Sequence, residues 1–388
     1  MSESRWFRPF FLSGGIAALA MFACDPTQPE ESNPPSQPAS AREVVIYVST
    51  DGAIARPILD AFEEATGIHV RARYDSENSK VSALAAMIRS ERAAPRADVF
   101  WSGECFAVAE LARAGLVQPW RSARVDGYPA SMRGNAGRWY GLAPRARVLV
   151  YDPERTKVES LPKSMMELAD PVWAGRFALA DPRFGTTRGH IVSFAESRDA
   201  REKGSWLRWL AGFCANSPKV LVSGNAAVVD AVVRQEADFG LTDSDDVYAA
   251  LADGSSVAMI PIRQFPVGES GGGPMLIPGS AAMIAGAPHP AEASELMSFL
   301  LGGDVFQWMQ DSRSGNLGVE EIDARAAAGA AQRSAPMPTG LPIFPATAAG
   351  ARINRVDDPF EFDPDHSAQH AERIIAEFMT HCGGAKDG

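Results

Sequence analysis

Three aspartates close a short apolar run in Phe239-Gly240-Leu241-Thr242-Asp243-Ser244-Asp245-Asp246-Val247-Tyr248, after which the pattern becomes helical. The spacing predicts a strand that turns into a helix at a carboxylate-rich elbow. In open α/β sheets ligands bind outside the carboxyl ends of the strands, so such an elbow is a place to build a site for a cationic ligand. A second reading stands beside it. Asp243, three residues before Asp246, has the spacing of a capping box, and Asp245 suits the positive end of the helix dipole.

Other strand–loop–helix units supply the frame for this elbow. Val44-Val45-Ile46-Tyr47-Val48-Ser49 reads as a strand buried on both faces, and Ile54, Ile58, Leu59 and Phe62 then recur at helical spacing until Gly67. A second strand, Ile68 to Tyr74, precedes a helix carrying Val81, Leu84, Ala85 and Ile88. A third, Ala97-Asp98-Val99-Phe100-Trp101, precedes one carrying Phe106, Val108, Leu111 and Ala112. Three such units predict a parallel α/β sheet, and right-handed crossovers place their helix N-termini on one rim. Asp51, Ser76, Ser79, Ser102 and Glu104 are therefore expected to face one cleft.

The 388 residues exceed one typical domain, and a 46% apolar composition supports two well-packed lobes. With 37 basic residues scattered among 48 acidic ones, the net charge of -11 excludes a nucleic-acid partner, which requires clustered Lys and Arg. Arg5 and Arg8 followed by the apolar run Pro9 to Ala23 read as an export signal, too short to span a bilayer. Cys24 directly after it resembles the lipidated cysteine of a bacterial lipoprotein, although Phe22 stands where a small residue is expected. Residues 25–42, with five prolines and little apolar content, read as a disordered tether. Cys105, Cys214 and Cys382 fit no zinc spacing. One disulfide and one free thiol are compatible with export, and Cys105 is expected to be a small buried hydrophobe.

Val45-Ile46-Tyr47-Val48-Ser49, the Ala97–Trp101 strand, Ala114-Gly115-Leu116-Val117 and Arg138-Trp139-Tyr140-Gly141 form one set of motifs. Arg145-Ala146-Arg147-Val148-Leu149-Val150-Tyr151-Asp152, Trp173-Ala174-Gly175-Arg176, Met275-Leu276-Ile277-Pro278 and Ala287-Pro288-His289-Pro290 continue it. As a set, from about residue 43 to 310, they resemble the extracellular solute-binding proteins of ABC importers, in the branch that includes binding proteins for ferric ion, thiamine, phosphonates and sugar phosphates. The resemblance implies an α/β, two-lobed, type II periplasmic-binding-protein fold. Each lobe would be a mostly parallel sheet flanked by helices, with two crossing strands as the hinge. The expected division is a signal at 1–24, a linker at 25–42, lobe 1 over 43–140, lobe 2 over 141–273, a return to lobe 1 over 274–330, and a C-terminal connection and helix over 331–388. Within lobe 2 the strand Arg176–Ala180, the loop Asp181–His190, the helix Ser205–Cys214 and the strand Val220–Val222 precede the elbow. The last helix, Ala368–Met379, is expected to dock through Ile374, Ile375 and Phe378.

Ferric-binding relatives hold their metal with a histidine, a glutamate and two adjacent tyrosines. On this chain the resemblance places Asp51 at the histidine, Gly103 with neighbouring Glu104 at the glutamate, and Asp245 and Asp246 at the tyrosines. The phenolates are replaced by carboxylates. An oxygen-only set of Asp51, Glu104, Asp245 and Asp246 suits a hard cation such as Fe3+, Ca2+, Mg2+ or Mn2+, and equally an organic cation such as thiamine or a polyamine. Arg145 and the Gly185-Thr186-Thr187 turn offer a guanidinium fork and backbone N–H groups to an anion, although a plain N-cap is the commoner meaning of Gly-Thr-Thr. Asn225 falls where iron-binding relatives place an asparagine near a synergistic anion.

With Ser79, Ser102 and Thr187 these complete the expected ligand-binding set; His190 is expected to be a structural donor, and Tyr47 and Trp101 core. No Gly-x-Ser-x-Gly elbow occurs, and no Lys-Ser/Thr follows Ser270-Gly271-Gly272-Gly273. The expectation is a monomeric, non-enzymatic binding protein, without a catalytic cofactor, that takes a metal cation as cargo, Fe3+ or divalent, with an anion. It would hand this to an ABC permease from the periplasm or cell surface. Alternatives are an organic cation, a phosphonate or sugar phosphate, and a receptor that presents ligand to a sensor protein.

Overall fold

The computed structural model describes residues 42–50, 52–75, 82–126, 128, 132–269, 271–303, 305, 309 and 358–383. Asp51, Ser76, Ser79, the signal with Cys24, residues 25–41 of the tether and the connection from Ala335 to Pro345 lie outside the described residues.

β1 (Glu43–Val48), β2 (His69–Tyr74) and β3 (Val99–Ser102) pair in parallel in the order β2-β1-β3. α1 (Gly52–Thr66), α2 (Ser82–Ser90) and α3 (Phe106–Arg113) follow them in turn. β3 then pairs with β10 (Leu276–Ile284), which runs antiparallel to it and also pairs with β4 (Val117–Gln118) and β5 (Tyr140–Tyr151).

β5 belongs to two sheets. Its first half, Tyr140 to Ala146, pairs with β10, whereas Arg147 to Tyr151 pair with β8 (Phe239–Asp243), and Val148 to Tyr151 also with β9 (Ala258–Pro261). The second sheet continues in parallel from β8 to β6 (Phe177–Ala180) and β7 (Lys219–Leu221). The elbow strand is thus central in its sheet, and all five of its residues are buried. Around this sheet lie α4 (Gly185–Arg201), α5 (Ser205–Ala215), α6 (Asn225–Val233) and α7 (Ser244–Ala252). α8 (Pro290–Leu300) packs on the first sheet. The loop expected over Asp181–His190 ends at Phe184, because Thr186, Thr187 and His190 bury themselves in the first turns of α4.

Strand alternation decides which side each residue serves. Tyr47 and Phe100 face one apolar core; Ile46, Val48, Val99 and Trp101 face another. The first core is continuous across both sheets, from Phe106 and Trp139 to Phe177, Phe213 and Phe239. On the opposite side the core is split, with Trp101 and Met283 in one cluster and Val148, Val228 and Val247 in the other. Tyr47 and Trp101 are core residues, 3% and 0% exposed.

The last helix, α9 (Pro364–Gly383), closes the continuous core. It buries Ile374, Ile375 and Phe378 and packs on α3, α4 and α5. It begins four residues before Ala368 because Asp363 accepts the backbone N–H groups of Asp365 and His366. A disulfide joins Cys214 at the end of α5 to Cys382, and Cys105 is a buried free thiol whose pKa burial pushes well up.

Candidate functional site

β5 carries two arginines on one face, on either side of the point where the strand changes sheets. Arg145 pairs with Ile277 of β10, and Arg147 lies directly opposite Asp243 of β8. Opposite charges at directly paired positions attract across a sheet, and here both are out of water. Arg147 is 0% and Asp243 2% exposed, with Nη1 to Oδ1 at 2.6 Å.

Burying such a pair is tolerated only when the remaining donors and acceptors are satisfied. The other Asp243 oxygen accepts from the Thr186 hydroxyl at 2.6 Å and the Asn225 amide at 2.9 Å. Arg147 also donates to Thr186, Asn225 and Thr187, each at 3.3 Å. Its Nε donates to His190 Nδ1 at 3.2 Å, which leaves the proton of His190 on Nε2, 2.7 Å from Gln264 Oε1. Burial, then Arg147, pull the His190 pKa down to about 3. His190 is a neutral structural link.

Asp243 occupies the N-cap position of α7 but makes no side-chain capping bond. The capping reading is overturned, because cross-strand pairing with Arg147 claims the carboxylate. Asp245 and Asp246 follow in the first turn of α7, and the three aspartates each offer a carboxylate oxygen within 4.8 Å of the others.

Arg145 links the elbow to the other sheet. Its Nη1 donates to Asp245 Oδ2 at 2.8 Å, its Nε lies 3.5 Å from Asp243 Oδ2, and its Nη2 donates to the Gly103 carbonyl after β3. Burial opposes its charge, but Asp245 and Asp243 outweigh burial and hold its pKa above the ordinary guanidinium value. Its side chain is 20% exposed, against 0% for Arg147, so Arg145 is the cation of this network that a solute can reach.

Arg145, Thr186, Thr187, Asn225, Asp245 and Asp246 therefore meet in one connected network. Ser102 and Glu104 do not join its carboxylates. Glu104 is 2% exposed and turned onto the N-terminus of α3, where it accepts from Phe106 N at 2.5 Å and Ala107 N at 3.0 Å. Burial raises its pKa to about 7 against the pull of those two N–H groups. Ser102 is 0% exposed, its hydroxyl accepting from Glu104 N at 3.3 Å. Asp51 and Ser79 are outside the described residues. Sequence reasoning missed Arg147 and Gln264. The available signal was the Arg-x-Arg alternation in an otherwise apolar strand, since a buried arginine demands a buried partner.

The matching family model is that of the bacterial extracellular solute-binding proteins, over residues 44–311. The chain belongs to this family. The solute-binding protein is similar to the major ferric iron-binding protein of Neisseria meningitidis serogroup A, 27% identical over 66% of this chain and 75% of the relative. It also resembles an Fe(3+)-binding periplasmic protein of Serratia marcescens, 31% identical over 53% of this chain and 58% of the relative. The crystal structure of iron-bound HitA from Pseudomonas aeruginosa shares its fold, with a TM-score of 0.65, 23% identity, and coverage of 88% of this chain and 99% of the other. The fold is thus that of the type II periplasmic binding proteins. Among its described residues no helix is long and apolar enough to cross a membrane.

Proposed function

We propose that this solute-binding protein captures a hard metal cation at the β8–α7 elbow, with ferric iron the leading candidate, and delivers it to an ABC permease. The observation that carries the reading is the convergence of Asp243, Asp245 and Asp246 within 4.8 Å beside the point where β5 changes sheets. Oxygen-only donors suit hard cations, and the names of the Neisseria and Serratia relatives point to ferric iron.

Arg145 is the moving part of the proposed mechanism. The network combines three carboxylates with two guanidinium groups, so a trivalent cation cannot simply be added beside Arg145 without like-charge repulsion. Asp245 turns from Arg145 to the metal, and the released guanidinium takes a small anion between itself and the ion. Arg147 and Asp243 remain paired and keep the elbow in place, so Asp243 contributes negative charge while Asp245 and Asp246 supply the ligand oxygens. Arg145 already ties the elbow to the Gly103 carbonyl of the other sheet, so an anion taken by Arg145 adds a contact at the junction of the two sheets, and lobe closure would follow from that added contact. In this reading the protein acts by binding, as its family does, and His190, hydrogen-bonded at both ring nitrogens, serves as a structural link. Export with acylation of Cys24 would tether the chain, and intact-mass analysis of membrane-extracted protein should show an acylated Cys24 at its N-terminus; a soluble chain beginning after Cys24 contradicts this.

Thermal unfolding of metal-stripped protein with ferric citrate, divalent ions, thiamine, polyamines or phosphate esters tests the reading. A shift with ferric ion that Asp245→Asn abolishes supports it. Stabilisation by organic cations or phosphate esters alone contradicts it.

A further inference from the structure

We propose a second metal site, distinct from the elbow, at which His366 and His370 of α9 and Glu196 of α4 bind zinc or a similar borderline divalent transition ion. The two histidines are four residues apart, so successive turns present both rings on one helical face. Both converge on one carboxylate oxygen. His370 Nδ1 is 2.5 Å and His366 Nε2 3.5 Å from Glu196 Oε1, and the three residues offer ligand atoms within 4.8 Å of one another.

The second oxygen of Glu196 is fixed separately. It accepts from the Ser367 hydroxyl at 2.7 Å, and Ser367 meets Ser193 of α4 at 3.0 Å. This divides the carboxylate between a buried serine, 2% exposed, and the side facing the imidazoles. Hydrogen-bonded partners of this kind orient a ligating carboxylate and support its affinity.

Two imidazole nitrogens and one carboxylate oxygen suit zinc, with solvent able to complete the coordination. The donor set differs in kind from the all-oxygen elbow, so the two sites select different ions. Bonds of about 2.0–2.2 Å to one tetrahedral ion set neighbouring donors about 3.4 Å apart; His366 already stands near that spacing from Glu196, and the shorter His370–Glu196 hydrogen bond opens to admit the ion. The side chains of His366 and His370 are 56% and 38% exposed, which leaves their rings room to turn inward. The bound ion would clasp the N-terminal end of α9 to α4, as the Cys214–Cys382 disulfide clasps its other end to α5.

Calorimetric titration of the untagged, metal-stripped full chain with zinc chloride tests the site. One zinc per chain is expected, with affinity at least about tenfold weaker in His370→Ala and in Glu196→Gln, and unchanged in Asp245→Asn. Glu196 and His370 also help dock α9, so the more exposed His366→Asn is measured as well, with circular dichroism to confirm its fold; the same weakening is expected. Absence of zinc uptake by the wild type, wild-type affinity retained in both His366→Asn and His370→Ala, or uptake lost in Asp245→Asn instead would overturn the proposal.

Discussion

Arg145 and Arg147 share a strand face and differ in what their loss should do. Removing Arg147 strands the Asp243 carboxylate, 2% exposed, in a dry environment. Loss of one partner of a buried pair typically costs about 3–5 kcal/mol. Arg147→Met should therefore destabilise the fold by that order in urea unfolding, while Arg145→Gln costs clearly less and mainly weakens solute binding. Equal stability losses would argue against this division of roles. Glu104 gives a pH signature. Its folded pKa of about 7 lies above the reference of 4.5, so the folded state binds the extra proton between these values. Its contribution is fully present below about pH 4.5 and is lost as pH rises through 7. Relative to wild type, Glu104→Gln should gain stability progressively from pH 5 to 8, and parallel stability curves would refute it. That Asp245, Asp246, Thr186 and Asn225 would come together was legible because they lie at strand ends and helix starts. The role of Asp243 was not, because a local capping rule competes with a partner 96 residues away on β5.

At the scale of elements, the strand and helix periods were largely readable, down to the docking residues of α9. The Cys214–Cys382 pairing was not, since it depends on how α9 returns to α5 across 168 residues. Closing so long a loop restricts the unfolded chain, and removal of a native disulfide typically costs about 2–5 kcal/mol. Cys382→Ser should lower stability by this order, and an unchanged unfolding midpoint would show that packing alone holds α9. The contact of α4 with α3 leaves no room at Gly189, where a Cβ would lie 1.9 Å from the Phe106 ring. Gly189→Ala should lower stability in urea unfolding, and an unchanged unfolding midpoint would show that Phe106 simply turns aside.

Across the whole molecule, one core is continuous beneath both sheets while the opposite side is split. The sequence carried the family and the two-sheet architecture, because long apolar strands and their connections are encoded locally. It carried the chemistry of the elbow only in part, since arginine neutralisation of the carboxylates depends on register between distant strands. The central claim, that the elbow takes a hard cation by exchanging Arg145 for metal at Asp245, is tested most directly by equilibrium titration of ferric citrate into metal-stripped protein, comparing wild type with Asp245→Asn. The account predicts saturable uptake of one iron per chain in the wild type and at least about a tenfold loss of affinity in the variant. Iron uptake that is unaffected by Asp245→Asn, or no saturable uptake by the wild type, would contradict it.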